Sequence, residues 1–345
     1  MSSVDQAAKN QSLLHSGVSR VFYPLFLGQI CSILLATCTL ASTKLGDQGF
    51  SAPALQNTLV YFFLSLHLIP LVYRRFQRRK LIPSPSAVSV STPEPKTFLS
   101  HALYTYFLLA LFDFEANYTI VRAFALTSMT SGQILAGCTV PFVVTLRRVF
   151  LKARYTRSQL VSVFFGISGL ALIIYRDYSR SSSLGSRALL GDLLALTAAL
   201  LYASCNCLEE RLLQTPSQGG MSEMLGMLGL FGMVIGLIQS AATLELGAVL
   251  EEGREWDINA VTGYLGLYIV GLVTFYHLLS IFMKHYDAAV FNLSILSSGV
   301  YAGLMERLWV REGDWGQDEW MYWAGVGVLV AACAWYHWSG FKSMP

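Results

Sequence analysis

Residues Phe107 to Arg122 read FLLALFDFEANYTIVR, an apolar run interrupted by Asp113, Glu115 and the final arginine. The run is typical of a helix that crosses a membrane, which needs about 20 mostly apolar residues. An ionised side chain at the centre of such a helix costs about 2.5–3.5 kcal/mol on the insertion scale. Three charges within one span therefore require partners or water, and they favour a polar cavity inside a helix bundle.

The composition of the whole chain agrees with a membrane protein. Of its 345 residues, 54% are hydrophobic and 13% are charged, whereas a soluble domain carries about 25% charged residues. So few charges cannot cover so much apolar surface in water. The balance excludes a disordered chain, a nucleic-acid-binding domain and an ordinary cytosolic enzyme.

Apolar runs of spanning length recur along the chain and predict ten transmembrane helices, so we expect an all-α polytopic membrane protein. Most of the 24 Lys and Arg residues fall in segments that face the cytoplasm if the N-terminus lies there, and both termini are therefore expected to be cytoplasmic. The ten predicted spans lie near residues 21–43, 51–73, 98–124, 128–150, 158–175, 190–211, 222–244, 261–283, 286–309 and 320–338.

Two polar segments interrupt the series of spans, one within the first half and one between the halves. Residues 81–97 are rich in proline and serine and predict a flexible cytoplasmic linker. Residues 177–189 separate the fifth span from the sixth. The expected organisation is a cytoplasmic tail at 1–20, a first five-helix repeat at 21–176, a second repeat at 190–339 and a cytoplasmic tail at 340–345.

A shift of 159 residues relates the two halves. It places Gln133 on Asn292 and Gly166 on Gly325. An odd number of spans in each half inserts the halves in opposite orientations. Inverted repeats are a common transporter architecture, with the substrate held at the repeat interface near the membrane midplane.

The polar residues of span three fall on two adjacent helix faces. Glu115, Tyr118 and Arg122 share one face, and Asp113 and Asn117 share the next. We predict that these side chains line a cavity and bind polar groups of a substrate. The alternative interpretation is an ion pair of Glu115 with Arg122 that only holds helices together.

Spans four, six and nine carry further candidate substrate contacts. The alternative for a lone amide is a hydrogen bond between helices, and the alternative for Glu209 is a helix end that reaches cytoplasmic water. His277 in span eight fits a packing residue better than a proton relay. The candidates are Gln133, Tyr202, Asn206, Glu209, Asn292 and Tyr301.

Neither a metal site nor an enzyme is expected. Cys205 and Cys207 form a CxC pair without a second pair of ligands. Residues 166–169 match the GxSG motif of intramembrane serine proteases, but ten spans and an apolar helix argue against that activity. Glycines in spans five, seven and ten favour close helix packing, and homodimer contact through spans five and ten is a minority hypothesis.

The stretch from Asp113 to Gln133 resembles solute carrier family 35, subfamily F, in the drug/metabolite transporter superfamily. Similar stretches follow, among them LYASCNCLEE at 201–210, EMLGMLGLFG at 223–232 and NLSIL at 292–296. The resemblance covers about residues 20–340. It implies ten helices in two inverted five-helix repeats, a central cavity lined by spans one, three, four, six, eight and nine, and a secondary carrier without metal or prosthetic group.

The resemblance also bears on the substrate. The wider family resembles nucleotide-sugar antiporters of the Golgi and endoplasmic reticulum, whereas subfamily F is associated with uptake of queuine and queuosine. Asp113, Glu115, Asn117 and Asn206 suit a cationic, purine-like ligand. A diphosphate would require Lys or Arg in the cavity, and only Arg122 lies deep in a span.

We therefore predict a carrier that transports a nucleobase- or nucleoside-like solute by alternating access. A nucleotide-sugar antiporter is the alternative, and a non-transporting membrane scaffold is the remote one. Proton coupling through Asp113 or Glu115 is a hypothesis that rests on their place inside the bilayer. The expected location is the plasma membrane or the Golgi and other endomembranes.

Overall fold

The computed structural model describes residues 3–80, 96–126, 132, 135–180, 186–214, 220–252, 256–309 and 319–342, and this described part contains helices and turns but no strand. The helices are α1 (Ser3–Asp47), α2 (Pro53–Ser65), α3 (Leu68–Lys80), α4 (Lys96–Phe124), α5 (Thr139–Phe150), α6 (Arg157–Arg180), α7 (Ser186–Gln214), α8 (Met221–Ala242), α9 (Glu245–Glu252), α10 (Ile258–His285), α11 (Ala288–Ser294), α12 (Ser298–Trp309) and α13 (Glu319–Lys342). A single 3₁₀ turn, Ile295–Ser297, joins α11 to α12.

Six helical segments of the described chain are long and apolar enough to cross a membrane. This finding is consistent with the predicted polytopic membrane protein, and the described part of the chain is helical. Predicted spans three, five and ten coincide with α4, α6 and α13, whose described residues lack an apolar stretch of that length, so ten spans remain a prediction. The six segments are Tyr23–Asp47, Pro53–Tyr73, Leu189–Gln214, Met221–Ala242, Ile258–His285 and Ala288–Met305.

Parts of the predicted organisation fall outside the described residues. Within predicted span four the structure describes residue 132 and residues 135–150. Helix α5 forms the second half of this span. Most of the predicted linker 81–97 and part of the segment 177–189 also lie outside.

The sequence explains where several helices begin. Pro53 occupies the first turn of α2, where a missing N–H is tolerated. The Asp257 side chain caps α10 by accepting from the Asn259 and Ala260 backbone N–H groups at 3.0 and 3.2 Å. Asp287 caps α11 by accepting from the Val290 N–H at 2.8 Å.

Helices of the two sequence halves interleave. Helix α2 packs on α8, α4 packs on α7 and α8, α1 packs on α10 and α12, and α6 packs on α13. The α2–α8 contact is close because α8 presents glycines: a Cβ on Gly229 would lie 2.2 Å from the Ser65 backbone nitrogen, and one on Gly232 would lie 2.4 Å from the Tyr61 ring. The close packing expected of these glycines is therefore present.

Large apolar side chains cover much of the outer surface. Phe26 is 66% exposed, Phe164 is 68% exposed and Val270 is 66% exposed. A soluble protein rarely exposes apolar patches of this extent, whereas lipid tails solvate them. The polar side chains Asp113, Asn117 and Asn292 are buried instead, so the bundle is apolar outside and polar at its centre.

Candidate functional site

A cavity lies between helices of both sequence halves. It holds about 1000 Å³ of empty space, counted out to its open mouth. Its described wall comes from α1, α4, the start of α5, α7, α10, α11, the 3₁₀ turn and α12, which are the spans that the resemblance implied. Five of the predicted site residues line it: Asp113, Asn117, Tyr202, Asn206 and Asn292.

Asp113 is held by three donors from three helices. It is 3% exposed. Its Oδ2 accepts from the Tyr61 hydroxyl at 2.7 Å and from the Tyr276 hydroxyl, and its Oδ1 accepts from the Cys205 thiol at 3.3 Å. The described cavity wall contains no Lys or Arg. Burying a carboxylate is costly without a cation, so this acceptor suits a ligand that brings a positive charge or several N–H groups.

Asn117 connects four helices around Asp113. Its Nδ2 donates to the Tyr276 hydroxyl at 2.8 Å, to the Tyr61 hydroxyl at 3.0 Å and to the Asp113 carbonyl oxygen at 2.9 Å. Its Oδ1 accepts from the Tyr202 hydroxyl at 3.0 Å. The amide therefore fixes the position of both tyrosines that hold the carboxylate.

A pair of amides forms a second polar group in the cavity wall. Asn206 on α7 donates from Nδ2 to Oδ1 of Asn292 on α11 at 3.0 Å. Asn292 in turn donates to the Ala288 carbonyl oxygen at 2.7 Å, which fixes the orientation of its side chain. The pair can reorganise to offer both a donor and an acceptor to a ligand.

Three predicted residues of span three do not line the cavity. Because of the helical period, Glu115 and Tyr118 lie on a different face of α4 from Asp113 and Asn117. Glu115 and Tyr118 are half-buried. The Glu115 carboxylate bonds to Gln239 of α8. Arg122 is exposed and interacts with the charge of Glu245 rather than forming the internal pair considered from the sequence.

The other predicted residues lie beside the cavity or outside the described chain. Glu209 is buried and accepts from the Ser280 hydroxyl at 3.1 Å. Tyr301 donates to Gln29 Oε1 at 3.0 Å in a polar contact between α12 and α1. Gln133 lies outside the described residues.

Sequence reasoning missed Tyr61 and Cys205 and left Tyr276 unassigned. Tyr61 is the one tyrosine of α2 and gives no signal of its own. Tyr276 follows Asn117 by 159 positions, so the repeat offset could have pointed to it. Among the described residues, no group of three His, Cys, Asp or Glu side chains could hold a metal ion.

A buried ion-pair cluster lies at one end of the bundle. Arg147, at the end of α5, donates from Nε and Nη2 to the two carboxylate oxygens of Glu210, each at 2.8 Å. Its Nη1 donates to the Tyr155 hydroxyl at 2.8 Å and lies 3.3 Å from Asp287 Oδ2. Glu210 also accepts from the Ala288 N–H at 2.9 Å, so the cluster joins α5, α7 and α11.

The cavity opens toward the other end of the bundle. It extends along α1 to Ser42 and along α4 to Phe124, near the last turns of these helices. Arg147, Glu210 and Asp287 lie at the opposite helix ends. The charged cluster therefore lies at one end of the bundle, and the cavity extends toward the other.

Sequence comparisons agree with the resemblance. The family model described as "SLC35F: Solute carrier family 35" matches residues 18–336. "Solute carrier family 35 member F2" of Mus musculus is 30% identical over 279 residues, which are 80% of this chain and 69% of the mouse protein. The Xenopus tropicalis protein of the same name is 27% identical, over 80% of this chain and 67% of its own length.

A fungal relative and a solved structure extend the comparison. An uncharacterized solute carrier family 35 member of Schizosaccharomyces pombe is 28% identical over 87% of this chain and 55% of its own length. A solved structure described as "Crystal structure of protein" aligns with a TM-score of 0.59 at 16% identity, over 91% of this chain and 95% of that chain. This last likeness shows a shared fold.

Proposed function

The chain belongs to the SLC35F group of solute carrier family 35, and from this premise we propose that it is a secondary transporter of nucleobase- or nucleoside-like solutes. The family consists of solute transporters rather than enzymes, and the membrane helices place this chain in a bilayer as a multi-pass protein. The substrate class, the repeat layout and the direction of access are the parts that we propose.

The observation that carries the substrate proposal is the composition of the cavity wall around Asp113. One buried carboxylate and three amides, those of Asn117, Asn206 and Asn292, converge on the space. Together they match the edge of a protonated or N–H-rich heterocycle, which presents donors and acceptors side by side. Aromatic side chains in the same wall can stack on a planar ring; they include Phe124, Tyr202, Phe275, Tyr276 and Phe291.

The same wall disfavours the nucleotide-sugar alternative. A diphosphate needs cationic partners, and the described lining residues include no Lys or Arg. Arg122, the cation that the sequence offered, is exposed and lies off the cavity. A nucleotide-sugar would therefore place its charge beside Asp113, where like charges repel.

The packing of the helices supports an inverted repeat. A two-fold relation takes α1 to α7, α4 to α10 and α5 to α11 and α12. Under this relation, the contact between α1 and α10 corresponds to the contact between α7 and α4. The contact between α1 and α12 corresponds to the contact between α7 and α5. All four contacts are present. We propose that residues 21–176 and 190–339 are these repeats.

We propose that the ion-pair cluster closes one end of the bundle and that the cavity opens at the other, as alternating access requires. We place the cluster of Arg147, Glu210 and Asp287 at the cytoplasmic end, which follows from both termini lying in the cytoplasm. The described conformation then faces outward, and transport requires that the cluster separates. The plasma membrane and the endomembranes both accommodate this orientation. Helices α6 and α13 pack on each other within the chain, and a homodimer through their outer faces remains a proposal.

The test is ligand-induced thermal stabilisation of the purified full chain. The panel contains queuine, queuosine, guanine, guanosine and two nucleotide-sugars. A ligand at 100 times its Kd stabilises the folded protein by about 2.7 kcal/mol. We expect stabilisation by a nucleobase or nucleoside, its loss in Asp113→Asn and its retention in Glu115→Gln. The two variants are matched because both remove one carboxylate from α4, and only the first carboxylate lines the cavity.

Transport itself is tested by counterflow in proteoliposomes. Preloaded unlabelled base should accelerate entry of labelled base, and Asp113→Asn should abolish this exchange. Stabilisation and counterflow by nucleotide-sugars alone would assign the chain to the antiporter alternative. Binding without flux would indicate a scaffold or receptor.

A further inference from the structure

Two histidines meet between α3 and α10, away from the ion-pair cluster. His67 lies in the turn between α2 and α3, and His277 lies on α10. Their Nε2 atoms are 2.6 Å apart. Both side chains are half-buried. The sequence shows each as an isolated histidine, because 210 positions separate them.

The hydrogen bonds of the two rings fix where their protons lie. His67 Nδ1 is 2.9 Å from the Leu64 carbonyl oxygen, and His277 Nδ1 is 2.8 Å from the Val273 carbonyl oxygen. A carbonyl oxygen only accepts, so both Nδ1 atoms carry hydrogen. In a neutral imidazole the other nitrogen then carries a lone pair. Two facing lone pairs at 2.6 Å repel, whereas one added proton between them makes a charge-assisted hydrogen bond.

A metal ion does not fit this geometry. Zinc binds imidazole nitrogen at about 2.0–2.1 Å, and a tetrahedral angle then separates two ligand nitrogens by about 3.3 Å. The observed 2.6 Å is shorter. The separation fits a single shared proton.

The elements that carry the histidines also carry the tyrosines on Asp113. Tyr61 lies on α2, six positions before His67, and Tyr276 is the neighbour of His277. The two tyrosine hydroxyls lie 3.5 Å apart, and both contact Asp113 Oδ2. A proton that holds His67 to His277 therefore also holds α2 and α10 in the arrangement that occupies this carboxylate oxygen.

Other ionisable groups surround the pair on the packed helices. Asp113 on α4 accepts from Tyr276, the residue before His277, and Glu209 on α7 accepts from the α10 residue three positions after His277. On α8, Gly226 packs against Leu68, the residue after His67. Glu223 lies one helical turn before Gly226. The basic groups of α10, Lys284 and His285, lie about two turns farther along at an exposed end.

We propose that His67 and His277 bind one proton between their Nε2 atoms and that this proton exchanges with the transported solute. A ligand that takes Asp113 Oδ2 must displace at least one tyrosine, and the shared proton opposes that displacement. Proton and ligand therefore weaken each other's binding by the same factor. The carrier is then a proton antiporter. This inference rests on the proposed transport of a nucleobase-like solute.

The experiment uses proteoliposomes of the full chain and queuine as the probe, quantified by mass spectrometry. With an acidic interior and the membrane potential held at zero by equal potassium and valinomycin, one-for-one exchange with protons supports about tenfold accumulation for each pH unit of the gradient. We expect this accumulation in the wild type, above that of protein-free vesicles. We expect His67→Gln and His277→Gln to abolish it while retaining counterflow at equal pH. His285→Gln is the matched control on α10 and should accumulate queuine normally.

Each outcome of this experiment decides one of the two proposals. Counterflow without gradient-driven accumulation in the wild type would overturn the proton antiporter and leave the transport proposal standing. Accumulation that persists in both histidine variants would show that the proton binds elsewhere. Absence of wild-type counterflow with the whole panel would overturn the substrate proposal.

The proton site itself is tested without any substrate. A proton bound in the folded state stabilises it at low pH, and this stabilisation is lost as the pH rises. As the pH is raised, the melting temperature of the wild type should fall more than that of either histidine variant. The double variant should behave like each single one, because either change removes the shared proton. Parallel pH profiles for the wild type and His67→Gln would overturn the site.

Discussion

Asn117 donates a 2.8 Å hydrogen bond to the hydroxyl of Tyr276, and the two residues lie 159 positions apart. This separation equals the offset that relates the two halves of the sequence. Residues related by a two-fold axis contact each other only beside that axis. The proposed inverted repeat therefore has its axis at this hydrogen bond, next to the Asp113 carboxylate.

Removing the Tyr276 hydroxyl should destabilise the polar centre. Tyr276→Phe deletes one donor to Asp113 and one acceptor of Asn117, and hydrogen bonds between membrane helices contribute about 1–2 kcal/mol each. We expect a lower free energy of unfolding, measured by titration of the purified protein with a denaturing detergent. Tyr301→Phe is the control, because its hydroxyl contacts Gln29 away from the cavity. Equal losses in the two variants would contradict a special role for the Asp113 network.

Breaking the ion-pair cluster should open the closed end. Arg147→Ala leaves Glu210 buried without its cation, and removal of one partner from a buried pair costs about 3–5 kcal/mol. We expect a lower melting temperature and faster reaction of the buried Cys207 with a small maleimide. Glu210→Gln should cost less, and the double variant should recover part of the loss. Additive losses in the two single variants would show that the two side chains act independently.

Changing one glycine should separate α2 from α8. A Cβ on Gly229 would lie 2.2 Å from the Ser65 nitrogen and 2.6 Å from the Leu64 carbonyl carbon, and backbone atoms cannot rotate away. We expect Gly229→Ala to lower the free energy of unfolding by about 1–3 kcal/mol or more. Gly266→Ala on α10 meets no atom within 4 Å and should be neutral or stabilising, because alanine favours a helix by about 1 kcal/mol. A stable Gly229→Ala would mean that the two helices are not tightly packed.

The amide pair should affect binding more than folding. Asn206→Ala removes the donor to Asn292 in a cavity that is open at one end, so the remaining amide can bond to water. We expect a small loss of stability and at least a tenfold weaker binding of the nucleobase. Gln214→Ala is the matched amide change on α7, since its Nε2 bonds to the Met283 and Tyr286 carbonyl oxygens outside the cavity. Titration calorimetry of both variants checks this, and equal affinities would remove the pair from the site.

The helical period of span three predicted which residues share a face, and the structure keeps Asp113 with Asn117 and Glu115 with Tyr118. Periodicity alone does not say which face meets a cavity, because that depends on how α4 packs against α7 and α8. The partners of Asp113 were also beyond the sequence: Tyr61 is the one tyrosine of α2, and nothing in the surrounding sequence connects it to Asp113.

Long-range pairs were hidden for a related reason. As a lone histidine in an apolar span, His277 fits a packing residue from the sequence. Its partner lies 210 positions away, and nothing in the local pattern joins the two. The polytopic helical class, by contrast, follows from composition and run length, which are local properties. Local chemistry thus predicts the helices, and only their packing shows which side chains meet.

The backbone contact of α2 with Gly229 has a consequence for biosynthesis. The surface that α2 presents is completed by a helix that the ribosome produces about 160 residues later. Until then the first half carries a groove that no segment of its own fills, and lipid or a chaperone must occupy it. Two separately expressed half-chains should consequently be degraded alone and should recover only when they are produced in the same membrane.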